Sequence, residues 1–149
     1  MDATTPVNTA PVKFEQEIPN VVTALQQVHK VMGGYDLDHT IANLVHIRAS
    51  QINGCAHCIK MHVKEAREAG ETNDRLDRLV VWRHVNDFND REKAALAWTE
   101  ALTYLNDERN LGPLRAELRQ HFSDKEISVL TAEVAMINMW NRMAISRNE

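Results

Sequence analysis

Gln51-Ile52-Asn53-Gly54-Cys55-Ala56-His57-Cys58-Ile59-Lys60-Met61-His62 joins two amphipathic segments and holds both cysteines of the chain. Asn53-Gly54 is a turn signal. The next stretch, 55–69, predicts a helix that stops at Gly70, where glycine takes the left-handed conformation without a Cβ penalty. The cysteines are then expected in a first helical turn, where unpaired N–H groups and the macrodipole favour a thiolate. At about 100° per residue, Cys55, Cys58 and His62 fall within roughly 60° of one another, while His57 points elsewhere. Cys58 and His62 are one turn apart, a rise of about 6 Å, and Cys55 and His62 about 10 Å, so His62 is expected to serve Cys58 first.

The flanking sequence predicts helices throughout. Upstream, Pro19 can open a helix with Val21, Val22, Leu25, Val28 and Met32 on one face, ended by Gly33-Gly34. Asp36 or Asp38 can cap the next, in which Ile41, Leu44, Val45 and Ile52 form an apolar face that leads into the cysteine turn. Downstream, Thr72-Asn73-Asp74 opens a shorter helix with Leu76, Leu79, Val80 and Trp82. Asn89-x-x-Glu92 and Ser123-x-x-Glu126 read as capping boxes for two longer helices. The first carries Ala94, Ala95, Leu96, Trp98, Leu102 and Leu105, the second Ile127, Leu130, Val134, Ile137 and Met143. Between them Gly112-Pro113 is expected as a break, with a short helix over 114–122 after it. No segment alternates like a strand. The expectation is an all-α fold of about six to seven helices, one domain over 13–149, preceded by a flexible arm over 1–12.

Composition narrows the function classes. The 149 residues suffice for one domain with a core, and only 5 Gly and 4 Pro leave few turn-makers. A net charge of −4 and the lack of a basic stripe argue against a nucleic-acid partner. No apolar run approaches the roughly 20 residues of a membrane span. Met1-Asp2-Ala3-Thr4-Thr5 has neither the basic nor the apolar region of a signal peptide. A cytoplasmic enzyme is the expectation, because a lone Cys-x-x-Cys in a reducing compartment is catalytic or metal-binding more often than structural.

The cysteine pair admits three readings. Two small core residues can share a helical face. Cys55, Cys58 and His62 can supply three metal ligands, with His57 or a partner chain as the fourth, although structural zinc sites usually pair two separated clusters and no second cluster exists here. The redox reading needs a nucleophilic thiolate, a resolving thiol and a base, and this stretch holds all three. The remaining histidines weigh less. His46 approaches the thiols only if the two helices fold back on each other, and a surface position is expected for it. His29, His39, His84 and His121 have no companions in sequence. Met136, Met139, Trp140 and Met143 form an apolar surface interrupted by Asn138, Asn141 and Arg142, whose polar groups need partners and are expected to face the site or another subunit.

The run from Arg48 through Cys58, with His62, resembles the alkylhydroperoxidase D-like, carboxymuconolactone decarboxylase-like family. Ala69-Gly70-Glu71-Thr72, Arg91-Glu92-Lys93-Ala94-Ala95-Leu96-Ala97-Trp98-Thr99-Glu100 and Ile137-Asn138-Met139-Trp140-Asn141-Arg142 add to the likeness, which covers roughly residues 36–146. The resemblance implies an all-helical homo-oligomer, trimer or hexamer, and peroxidase chemistry on organic hydroperoxides or hydrogen peroxide. In that scheme Cys58 attacks, Cys55 resolves and His62 helps to remove the proton. An external dithiol, lipoyl-bearing or thioredoxin-like, restores the thiols, and no metal or organic cofactor is required. A helix-dipole argument favours the more N-terminal Cys55 as nucleophile instead, so the two roles stay open. Relatives often carry a relay glutamate twelve residues before the first cysteine; here that position is Asn43, which takes up no proton at neutral pH. Asn43 can still orient His62 or a water, and Glu100 is a candidate substitute acid. The rival function is a redox sensor or interaction protein whose disulfide switches assembly without turnover.

Overall fold

The computed structural model describes residues 5–147, and every regular element among them is helical. In chain order these are α1 (Phe14–Glu17), α2 (Pro19–Met32), α3 (His39–Asn53), α4 (Ala56–Glu68), α5 (Asn73–Arg78), a 3-10 segment (Leu79–His84), α6 (Asp90–Tyr104), α7 (Leu111–His121) and α8 (Asp124–Ile145). The all-α expectation holds. The helix beyond the expected seven is α1, a single turn too short to show a period. Residues 5–13 carry no helix and are exposed. Positions 1–4 of the expected arm and 148–149 at the far end lie outside the described residues.

The centre of the molecule is α3, which packs against α4, α6 and α8. Its sequence explains why. Ile41, Leu44, Val45, Ile47 and Ala49 are all buried, covering two adjoining faces rather than one stripe. Ile41 and Val45 join Trp98, Leu118, Phe122, Leu130 and Val134 on one side. Leu44 and Ile47 join Ala66, Leu76, Leu79, Trp82, Phe88 and Leu96 on the other. Each fully buried aliphatic side chain contributes about 1.5–3 kcal/mol, so α3 anchors both halves of the core.

Local signals set the helix ends. Asp38, not Asp36, caps α3 by accepting from Thr40 N–H. Both capping boxes form reciprocally, Asn89 with Glu92 and Ser123 with Glu126. Each cap is worth about 1 kcal/mol. Gly70 follows α4 with φ of 96°, as its left-handed role requires.

Three local expectations are corrected. Gly112-Pro113 is no break but lies in the first turn of α7, capped by Asn110; proline is tolerated there because its missing N–H has no helical partner to lose. The helix begun at Asn73 tightens into the 3-10 segment at Leu79, which buries Leu79 and Trp82 but turns Val80 out to solvent. On α2, Val22 and Met32 are buried whereas Val21 and Val28 are exposed, so the rest of the chain covers only part of its apolar face. Among the described residues, no helix is long and apolar enough to cross a membrane.

Candidate functional site

The site is built on the turn between α3 and α4. Gly54 takes φ of 70°, a left-handed value that would cost a side-chain-bearing residue about 1–2 kcal/mol. Its N–H donates to Gln51 O at 3.3 Å, and the N–H of Cys55 reaches back to Ser50 O at 3.0 Å. A polar clasp from α8 holds this turn. Asn53 Nδ2 donates to Asn138 Oδ1 and to Asn141 Oδ1, both at 2.9 Å. Asn141 Nδ2 donates to Ser50 Oγ at 3.0 Å, and Ser50 Oγ donates to His46 O at 2.7 Å. Asn138 Nδ2 is shared between Thr103 Oγ1 and Val134 O. Asn141 is fully buried with its amide satisfied at both ends. The clasp therefore fixes the backbone that delivers Cys55, and Asn141 acts on that turn rather than on the sulfurs.

Cys55 is the N-cap of α4, one residue outside the helix and not in its first turn. Its Sγ accepts the N–H of Cys58 at 3.3 Å, taking the place of the usual hydroxyl or carboxylate cap. The two sulfurs are joined as a disulfide, with the Cα atoms 5.3 Å apart. Cys55 is wholly enclosed and Cys58 is 3% exposed. His57 points to solvent, as its helical angle required. Among the described residues, no group of three or more His, Cys, Asp or Glu side chains is arranged to hold a metal ion.

One turn beyond Cys58, His62 is half-buried and bonded through Nδ1 to Glu65 Oε2 at 2.8 Å. A carboxylate partner makes Nδ1 the protonated nitrogen of the neutral ring and leaves the Nε2 lone pair to accept a proton. Burial and the neighbouring His46 push the His62 pKa below the ordinary histidine value, against the pull of Glu65. Burial and His46 together favour the neutral form of the His62 ring.

His46 is no surface residue. The α3–α4 packing brings its ring to 4.9 Å from that of His62, with the planes tilted by 43°. Its Nε2 bonds to Glu133 Oε2 on α8 at 2.7 Å. Burial works against the charge on Glu133, but the hydrogen bond and charge of His46, with His29 and His62 nearby, outweigh it and hold the carboxyl below the usual carboxylate range. His29 on α2, packed against Trp140, completes the group; burial lowers its pKa too, with Glu133 opposing. Neither Glu133 nor the His29–Trp140 contact carries a sequence signal, since His46 and Glu133 are 87 residues apart and His29 and Trp140 111.

The two other candidate relay residues have different surroundings. Asn43 lines a small cavity with Thr40, Ala66, Ala69, Gly70, Glu71 and Arg75, toward the far end of α4 from the cysteines. Glu100 on α6 accepts from Arg48 Nε at 2.9 Å, Trp82 Nε1 at 2.8 Å and Arg83 at 2.9 Å, so both of its oxygens are occupied.

Comparison with known proteins agrees with the architecture. Residues 19–101, more than half of the chain, match the carboxymuconolactone decarboxylase family. The chain belongs to that family. The Bacillus subtilis protein YdfG, itself uncharacterised, is 32% identical over 135 residues, covering 91% of this chain and 92% of its own. A crystal structure from Agrobacterium tumefaciens, a protein of unknown function for which an antioxidant role of the AhpD kind has been suggested, superposes with a TM-score of 0.86. It is 33% identical and covers 92% of this chain and 94% of its own. The debrominase Bmp8 shares the fold at a TM-score of 0.73 and 17% identity, over 89% of this chain and 71% of that one. The fold is therefore AhpD-like. The family match ends in α6, so Glu133, Asn138 and Asn141 on α8 lie beyond it.

Proposed function

We propose that this member of the carboxymuconolactone decarboxylase family is a thiol-dependent peroxidase that reduces organic hydroperoxides or hydrogen peroxide. The observation that carries the reading is the buried Cys55–Cys58 disulfide at the start of α4, one turn before a histidine that Glu65 holds through Nδ1 with its other nitrogen open. In the reduced protein, His62 Nε2 takes the Cys58 thiol proton, and the thiolate attacks the distal peroxide oxygen. The O–O bond breaks, Cys58 becomes a sulfenic acid, and the leaving alkoxide takes a proton to depart as an alcohol, or as water from hydrogen peroxide. Cys55 then displaces hydroxide from the sulfenic sulfur, forming the disulfide and releasing water.

The return half uses an external dithiol, lipoyl-bearing or thioredoxin-like. It attacks Cys58, the less enclosed sulfur, and expels Cys55 as a thiolate beside the Cys58 N–H. A second attack within the mixed disulfide frees Cys58 and oxidises the donor. In sum, one hydroperoxide and one dithiol yield alcohol, water and a donor disulfide. This assignment reconciles the helix-terminus argument with the role of His62: the terminus stabilises Cys55 as leaving group, and the histidine activates Cys58. We place the protein in a homo-oligomer in the cytoplasm, in line with the resemblance.

The test compares Cys58→Ser with Cys55→Ser. Cys58→Ser is expected to abolish consumption of cumene hydroperoxide, while Cys55→Ser still reacts once and is trapped by dimedone as a Cys58 adduct. Dimedone labelling of Cys55 in Cys58→Ser, at wild-type rate, would exchange the two roles. A redox sensor without turnover is the second reading, favoured by the uncharged Asn43 where relatives carry an acid. It predicts disulfide formation without sustained peroxide loss when dihydrolipoamide or reduced thioredoxin is supplied.

A further inference from the structure

Glu133 and His46 stand outside the thiol chemistry just described, yet they complete an array with a carboxylate at each end, Glu133–His46–His62–Glu65. Titratable groups face His62 from every side of this array: His29 on α2, His46 on α3, Glu65 on its own helix and Glu133 on α8. Both rings cannot be protonated together at low cost, because they touch and are partly buried. A single proton on the pair, however, sits between two carboxylates. Asn43 adds no charge, and Glu100 is bound to Arg48, Arg83 and Trp82.

We propose that Glu133 is a positioning residue for thiol activation: through His46 it supplies the negative charge that stabilises the proton His62 receives from Cys58. Its ionised oxygen accepts from His46 Nε2–H at 2.7 Å, which fixes the tautomer of that ring and holds it against His62. Glu65 does the same for His62 from the other side but is half-exposed, so water screens it, whereas Glu133 is 13% exposed and acts through a less polarisable surrounding. When the thiol proton moves to His62, the new imidazolium meets a fixed carboxylate charge. No bond to carbon, sulfur or oxygen changes at Glu133, and the proton returns from His62 to the departing alkoxide.

The inference rests on the peroxidase reading, but its test does not need peroxide. Fully reduced protein is alkylated with iodoacetamide across a pH series, and the Cys58 adduct is followed by peptide mass. In Glu133→Gln, which preserves shape, the midpoint for Cys58 is expected to rise by about half to one pH unit, with reactivity at pH 7 falling several-fold and recovering at high pH. In a His46→Gln background the same change should move the midpoint by less than half as much. An unmoved midpoint in Glu133→Gln, or a full shift without His46, overturns the proposal. A second measurement uses the unaltered protein: ring nitrogen NMR shifts should show His46 protonated at Nε2 at pH 7, and the Nδ1–H tautomer would contradict it. If wild-type thiols ignore cumene hydroperoxide, the peroxidase reading fails while the alkylation result stands on its own.

Discussion

Glu100 and Glu133 are both carboxylates enclosed to a similar degree, 14% and 13% exposed, and each faces a different side of α3. Their partners set them apart. Glu100 is gripped by Arg48, Arg83 and the Trp82 indole, donors that do not give up protons near neutral pH. Glu133 is bonded to His46, an imidazole that touches a second ring one turn from Cys58. The first carboxylate ties α6 to α3 and the 3-10 segment; the second can answer a change of charge. Burial does not distinguish the two carboxylates; the chemistry of their partners does.

That contrast makes Glu100 the more costly of the two to remove. Glu100→Ala leaves Arg48 and Trp82 without their acceptor in a mostly enclosed space and is expected to lower unfolding free energy by about 3 kcal/mol in urea titrations. The pH midpoint for Cys58 alkylation should not move. A displaced midpoint would mean that the two acids share one circuit. Trp82→Phe removes only the indole donor while keeping most of the packing, and should cost about 1 kcal/mol in the same titration. A neutral result there would show that the two arginines alone hold Glu100.

The smallest effect concerns pH. His29 and His62 have folded pKa values below the ordinary histidine value, and Glu133 lies below its ordinary carboxylate value. Each group therefore binds more protons in the unfolded chain than in the folded one over its window. Stability contributed by the histidines is full above about 6.5 and is lost as pH falls through that value toward their folded pKa; the Glu133 contribution is lost lower, as pH falls below about 4.3. Thermal midpoints recorded from pH 8 to pH 4 should be level at first and decline below about 6.5. His62→Gln should flatten the upper part of the decline. An unchanged slope in that variant would remove His62 from the acid-sensitive set.

Features written within a few residues were legible in the sequence alone. The two capping boxes, the turn at Gly54, the left-handed Gly70, and the placing of Cys58 and His62 on one helical face depend on backbone geometry that a short stretch determines by itself. Gly112-Pro113 misled because the same dipeptide signals a break or a first turn, and Asn110 decides between them by capping. Val80 misled because the chain tightens from α to 3-10 winding after Arg78, which rotates the next side chains away from the expected face. Glu133 and His29 could not be read at all. Their meaning arises only when α2 and α8 pack beside His46, and nothing in either helix's own pattern distinguishes those side chains from solvated ones.

The central claim is that peroxide drives the Cys55–Cys58 pair through a disulfide. It is tested most directly by counting thiols in fully reduced protein, before and after one equivalent of cumene hydroperoxide, together with intact mass. The expected result is loss of both thiols and a mass decrease of about two daltons, the two hydrogens given up in forming the disulfide. Survival of both thiols after minutes at neutral pH would contradict it.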